Sequence, residues 1–378
     1  MDAVRRSSSR RKLATRICRA FFLGSCMLAA LAACLPAGEW KVGIVDGSVG
    51  GKSSSLRIDK FGNAHVTYTD PEQAPPLLQY SFWDCKLNKW FTETIGRAMG
   101  FTSITLDSKG HPHIAYPLAH VYWDGVSWQT QSIPVKARVI NYYTSIALDS
   151  QDNPAISFYE EVGMGDNLLR LRVVSWESMR WAVRTVDEDH GSGKFNSMAT
   201  DSAGRLQIAY GNVEYMNRSL RYARWNGRSW ETEVLETGAS MWSVAMVLDK
   251  TDVPHVAYTD AGKGLIKYAT KRNGKWEFQA VDSIAKVAYP DRNGIALDDH
   301  GNPYISYYDA GYGVLKVAHR KGNQWLVEVV DRDFAGLNSS LQIFQGIIWI
   351  TYADESSGRL KFARGTAEQA ASAVKIGQ

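Results

Sequence analysis

The sequence predicts an all-β fold: a seven-bladed β-propeller of four-stranded antiparallel blades, closed by its own N-terminal strand. Three observations predict it. A pattern of about 45 residues recurs seven times, the size of a propeller blade. Each copy breaks into four short apolar runs separated by turn residues. The last copy lacks its fourth run, and an unclaimed copy of that run stands ahead of the first.

The clearest copy is residues 294–331, GIALDDHGNPYISYYDAGYGVLKVAHRKGNQWLVEVVD. Its runs are 295–297, 304–308, 314–319 and 325–330, each of strand length, rich in β-branched and aromatic residues, and bounded by Gly, Asn, Asp or Pro. None is long enough for a typical helix. Gly301 can take the positive φ of a tight turn, and Asp298 can accept hydrogen bonds from the turn amides.

The first strands read SLRID (55–59), SITLD (103–107), SIALD (145–149), SMATD (197–201), AMVLD (245–249), GIALD (294–298) and SLQIF (340–344). Second strands end at Tyr68, Tyr116, Phe158, Tyr210, Tyr258, Tyr307 and Tyr352. Fourth strands start at Trp90, Trp128, Trp181, Trp230, Trp276 and Trp325, in steps of 38, 53, 49, 46 and 49 residues. The seventh copy stops after its third strand at Ala363, whereas Trp40 to Asp46 match the fourth strand from Trp276 to Asp282. Circular closure is therefore expected, since it removes an exposed sheet edge and locks the ring. In the second blade Tyr116, Pro117 and Leu118 run almost directly into strand three, while residues 160–167 make the same loop long in the third. The face carrying these loops is thus uneven, as a repeat scaffold needs for an individual site.

Residues 1–33 stand outside this fold. Seven Arg and Lys precede an apolar run, 20–31, too short for a good membrane span, which reads as a signal-peptide core. Leu31-Ala32-Ala33-Cys34 resembles the lipobox of bacterial lipoproteins, which implies lipidation of Cys34 and a tether of residues 34–39 ahead of a propeller at 40–365 and a tail at 366–378. The alternative is an ordinary secretory signal cut after Ala37; Ser9 to Leu13 faintly resembles a twin-arginine signal. The whole chain carries +4, but without 1–33 it holds 36 basic and 38 acidic residues, a net −2. The basicity belongs to the export signal and gives no support for nucleic-acid binding. Of the four cysteines only Cys85 would remain unmodified in the mature chain, so no internal disulfide is expected.

The motif S-I-A-L-D-x-x-G-N-P-x-I-S-Y-x-D … L-K-x-A … G-x-x-W, read from 294–325 with Gly294 in the first place, resembles that of seven-bladed propellers of exported bacterial proteins in the sialidase-like and propeller-lectin neighbourhood. The resemblance covers about 40–365 and bears on fold rather than activity. The sialidase Asp-box, Ser-x-Asp-x-Gly-x-Thr-Trp, is not matched, and no catalytic residue is carried over.

Ligands of propellers meet the face shared by the four-to-one and two-to-three loops. Aromatics in the four-to-one loops are Phe101, Tyr142, Tyr143, Phe195, Trp242, Tyr289 and Phe334. Of these Phe101, Tyr143, Phe195, Trp242 and Tyr289 are the expected ligand-binding set, because aromatic faces stack on sugar rings or grip a peptide. The competing role is wedging between blades. Asp70, Glu160, Asp260, Asp309 and Asp354 follow strand two, where they could bind Ca²⁺, act as general acid and base, or cap turns. The acids ending strand one, such as Asp149 and Asp298, read as turn caps. His65, His113 and His255 form a column at the start of strand two, spread over blades that are not all adjacent, so metal binding is not expected. Arg172, Arg221, Lys267, Lys316 and Lys361 form another in strand three, expected to be a solvated face; the tryptophans are expected to hold each outer strand onto its blade. Motif searches for phosphate-binding loops, dinucleotide fingerprints, metalloprotease and dithiol signatures and nucleophile elbows find none. The expected function is that of a lipid-anchored envelope protein, monomeric and without cofactor or metal, that binds a glycan or a protein surface. A carbohydrate-active enzyme, hydrolase or lyase, and a scaffold for an envelope assembly are the alternatives.

Overall fold

A computed structural model describes residues 40–367, apart from positions 46, 49, 73, 99, 136–138, 163–167, 215, 217 and 289–290. The proposed signal peptide, Cys34, Tyr289 and nearly all of the tail lie outside the described residues. Seven four-stranded antiparallel sheets follow one another around a ring. Blades one to six take residues 52–97, 103–132, 139–187, 192–237, 241–283 and 294–331. Blade seven takes 335–366 and is completed by the strand Lys41–Ile44. That strand pairs antiparallel with Arg359–Thr366, Lys41 opposite Arg364 and Ile44 opposite Lys361, as the orphan run predicted. The short second-blade loop is also present: strand two ends at Tyr116 and strand three begins at Ala119.

Three sets of contacts recur between neighbouring blades, none of them at every interface, and each explains a repeated residue. Nearest the axis, the Ser that opens strand one accepts a hydrogen bond from the first strand of the following blade. Ser55 bonds Ile104 N–H at 3.2 Å, Ser103 bonds Ile146 at 3.2 Å, Ser145 bonds Met198 at 3.1 Å and Ser197 bonds Met246 at 3.0 Å. Ser340 closes the circle on Leu56 at 3.1 Å. Ala245 and Gly294 break the series; a Cβ at Gly294 would meet Leu341 N at 2.7 Å, so only Gly fits there.

At mid-blade, the strand-two Tyr donates to a carboxylate at the end of the preceding blade's fourth strand. The pairs are Tyr210 with Asp187 at 2.7 Å, Tyr258 with Glu236 at 2.6 Å, Tyr307 with Asp282 at 2.7 Å and Tyr352 with Asp331 at 2.7 Å. The strand-three cation of the same blade joins each one: Arg221 to Asp187 at 2.9 Å, Lys267 to Glu236, Lys316 to Asp282 at 3.1 Å and Lys361 to Asp331. This corrects the expectation of a solvated face. Arg221 is 5% exposed, and Arg221, Lys267, Lys316 and Lys361 form a line of ion pairs between blades, whereas Arg172 pairs with Glu160 of its own blade. The acid has no counterpart six residues after Trp90 or Trp128, where Gly96 and Pro134 stand, so blade two joins both neighbours without this clip.

At the rim, the strand-four Trp reaches the preceding blade. Trp128, Trp276 and Trp325 pack edge-on against Tyr80, Tyr222 and Tyr268 at 4.9, 5.2 and 5.3 Å between centroids. Their indole N–H groups donate to Glu93, Glu233 and Gln279 at 2.9–3.0 Å. The tryptophans are therefore ties between blades as well as covers for their own outer strands. At the rim, blade one lies on blade seven through rings: Trp83, Trp90, Trp349 and Phe362 form one buried cluster, with Arg364 4.3 Å over Trp349.

Candidate functional site

The acids ending strand one cap their turns as expected. Oδ1 of Asp298 accepts from His300 and Asn302 N–H at 2.9 and 2.8 Å, and Asp59, Asp107, Asp149, Asp201 and Asp249 repeat this two- and four-residue pattern. The acids after strand two are also engaged. Asp354 caps Ser356 and Ser357, Asp70 accepts from Glu72 N–H, and Asp309 accepts from Ala285 N–H and from Lys316. Glu160 is no turn cap: strand two runs on to Val162, and Glu160 pairs with Arg170 and Arg172 of strand three at 2.7 and 2.8 Å.

Each histidine of the expected column serves its own blade. His65 Nδ1 lies 2.7 Å from Tyr80 Oη, His255 Nδ1 2.5 Å from Tyr268 Oη, and His113 Nδ1 3.0 Å from His120 Nε2. Their Nε2 atoms face Asp59, Asp249 and Asp107 at 3.4, 3.6 and 3.9 Å. Burial holds His113 and His255 below the usual range and takes His120 to about 3, so these rings are neutral hydrogen-bonding groups at neutral pH.

The aromatic set divides. Phe101, Tyr143 and Phe195 are 3–4% exposed. They stand two residues before the serines of three successive first strands, at the mouth of the channel; Phe101 stacks on Tyr143 at 5.3 Å, and Phe195 packs tilted on Tyr143 at 4.5 Å. Arg292 of blade six crosses the channel to meet them. Its guanidinium lies 4.7 Å over Phe101 and donates to the carbonyls of Thr102 and Thr144 at 3.0 and 3.1 Å. This arrangement closes the channel on the loop face. Wedging, the competing role, describes these three rings in the free protein.

Trp242 is different. It is partly exposed, packs on the same cluster, and walls a cleft between blades four and five on the face of the four-to-one and two-to-three loops. The cleft has a volume of about 270 Å³, and Lys194, Phe195, Val213, Arg218 and Met241 complete its wall. Two features of the chain place it. Gly193 and Phe195 both take positive φ, at 114° and 52°, so the first strand of blade four starts with a bulge lying over Leu171 of blade three. A Cβ at Gly193 would meet Leu171 Cα at 2.9 Å, which is why Gly stands there. The bulge sets half-buried Lys194 beside Phe195, its ammonium 5.9 Å over Tyr159 of blade three, and the two-to-three loop brings in Arg218. A non-Gly residue in the left-handed region is costly and marks a position worth relating to function. The arrangement offers a flat aromatic edge and a sulfur-bearing floor between two cationic side chains. Phe195 and Trp242 are legible in the sequence as loop aromatics; Lys194, Arg218 and Met241 are not, because no repeat column singles them out. A second exposed aromatic pair, Tyr312 and Phe334, lies on the same face between blades six and seven, with Phe334 61% exposed and at φ 61°.

No known family matches the sequence, and no curated protein sequence matches it. Solved structures do. The Aleuria aurantia lectin bound to Fucα1-6GlcNAc superposes with a TM-score of 0.54 at 15% identity, over 75% of this chain and 97% of the lectin. That lectin is described as a six-bladed β-propeller with its own mode of fucose recognition. The polysaccharide lyase Uly1 gives 0.54 at 9% identity over 91% and 94% of the two chains. The Hadza microbial sialidase Hz136 gives 0.52 at 13% over 85% and 67%. The chain shares its β-propeller architecture with lectins, a sialidase and a polysaccharide lyase. At these identities the likeness is one of fold, and it is the seven-bladed, self-closed ring that is shown.

Proposed function

We propose that this protein binds a glycan in the cleft between blades four and five. The observation that carries the reading is the juxtaposition of Trp242 and Phe195 with Lys194 and Arg218 on the loop face. An aromatic edge can take the apolar face of a sugar ring, while cationic donors hold its hydroxyl or acidic groups. The similarity to propeller lectins supports a carbohydrate as the ligand class. Of the carboxylates after strand two, Asp70, Glu160, Asp309 and Asp354 are held in turn caps and ion pairs, which favours binding over turnover.

A glycan array of the mature protein, with every hit incubated and checked for product by mass spectrometry, tests this. Binding without product is the expected result. Product would move the protein to the carbohydrate-active enzymes, and silence on the array would favour a protein partner. We further propose, from the Leu31-Ala32-Ala33-Cys34 run, that the protein is exported and anchored in a bacterial cell envelope through lipid on Cys34. Acyl chains on the purified mature protein, read by mass spectrometry, are the expected finding; a bare N-terminus would remove the anchor.

A further inference from the structure

The channel is a cavity of about 480 Å³ lined by the first strands of all seven blades. Arg292 closes it on the loop face, so access is from the face of the one-to-two turns. Two residues beyond the serine ring, six blades each contribute one lining residue. Five of these are Thr105, Ala147, Ala199, Val247 and Gln342, small or uncharged; the sixth is Arg57. In blade six the same register position, Ala296, packs into a core cluster instead. The guanidinium of Arg57 donates to the carbonyl of its own neighbour, Leu56, at 2.8 Å, and meets no carboxylate among the described residues.

The carboxylates that line the channel are already occupied. Asp149 accepts from Gln151 N–H, Asn153 N–H and the Asn153 side chain. Asp152 accepts from the N–H and hydroxyl of Ser108. Both are fixed in turns at the mouth. Arg292 adds a second positive charge at the closed end, with two of its donors committed to carbonyls. A charge held in a confined space without a partner is unfavourable, and an anion that shares the space removes that cost. Burial lowers both guanidiniums to about 10, in keeping with two cations that lack a countercharge.

We propose that the channel is a binding site for a small oxyanion, entered from the turn face and held by Arg57 with hydroxyl and amide help from Thr105 and Gln342. Phosphate, sulfate and a carboxylate share the required chemistry: a compact negative charge presenting several acceptors to one fork of N–H donors. The site lies on the opposite side of the Arg292 closure from the glycan cleft and is independent of it.

Isothermal titration calorimetry with inorganic phosphate, sulfate and glucuronate, each against chloride at constant ionic strength, tests the proposal and separates the three sources. Saturable one-to-one binding of at least one anion is expected. R57Q should lower its affinity at least tenfold, and its melting temperature in chloride should match or exceed that of the wild type, because an unpartnered charge is gone. A199E leaves Arg57 in place but sets a carboxylate at the same level, and it should abolish binding equally, which keeps the test open should R57Q fold poorly. No saturable heat from any of the three anions, or unchanged affinity in A199E, would overturn the proposal.

Discussion

Deleting residues 40–46 should abolish cooperative folding, whereas deleting 366–378 should leave a folded protein. The closing strand contributes its ladder with Arg359–Thr366, and Val45, fully buried, adds a bond from its N–H to the Leu360 carbonyl at 2.9 Å. Each such hydrogen bond adds about 0.5–1.5 kcal/mol net. Burial of a Val side chain adds roughly 1.5–3 kcal/mol. The total is comparable with the roughly 5–15 kcal/mol that separates a folded domain from its unfolded chain. Loss of the strand would also leave an unpaired edge at Arg359–Thr366 and uncover Phe362, whose ring lies under Gly43. The tail contributes far less among the described residues: one pairing at Thr366, the Ala367 N–H bond to Gly346 and the Tyr304 bond to the Ala367 carbonyl. Urea unfolding followed by tryptophan fluorescence reads both variants. A cooperative transition in the first deletion at the wild-type midpoint would contradict closure by this strand.

Asp187→Ala is expected to be the most damaging single substitution at a blade interface, by about 3–5 kcal/mol, the usual cost of removing one partner of a buried pair. Asp187 accepts from Tyr210, Ser192 and Arg221 at 2.7, 3.0 and 2.9 Å. Removing the carboxylate strands a fully buried tyrosine hydroxyl and leaves Arg221, besides its bond to Ser219, with Asp189 as its one carboxylate, 59% exposed. Asp187→Asn keeps an acceptor oxygen and should cost less than half as much. The effect has a defined pH dependence. Burial pushes the Asp187 carboxyl up, but the Asp189 N–H, Tyr210 and Arg221 outweigh it and hold the group below the ordinary value of 3.8. A depressed carboxylate stabilises the fold above the unfolded pKa and loses that contribution as pH falls through the folded one. The gap between wild type and Asp187→Ala should therefore be full at pH 7 and shrink below about pH 4. A gap that stays constant to pH 3 would show that the damage is steric.

The architecture was legible because each blade repeats a period-two pattern closed by a Gly- or Asn-containing turn, and because an orphan Trp-led strand at 40–46 had only one place to go. The ties between blades were legible only in part. The serines at 55, 103, 145, 197 and 340 stand in one column, and that recurrence was the available signal for the inner ring of bonds. The Tyr, acid and Lys or Arg of the mid-blade clip occupy three separate columns. Sequence shows each column but not that the acid of one blade faces the Tyr and cation of the next, and so the cations read as solvated. Phe101, Tyr143 and Phe195 were found as loop aromatics, yet they are buried. The first strands of blades three and four begin at Val139 and Ser192, several residues before their serines, and carry Tyr143 and Phe195 inward; Phe101 precedes its strand, which begins at Ser103, and is buried by stacking on Tyr143. Lys194 and Arg218 were not found because a cleft between two loops of different blades has no spacing in the sequence.

Titration of the tightest array glycan into wild type and Trp242→Ala addresses the glycan cleft most directly. Trp242 packs against its cluster from the surface, so its loss should leave the melting temperature nearly unchanged while weakening the glycan at least tenfold. Unchanged affinity in Trp242→Ala, with loss on Phe334→Ala instead, would contradict the assignment and move the site to the exposed pair between blades six and seven.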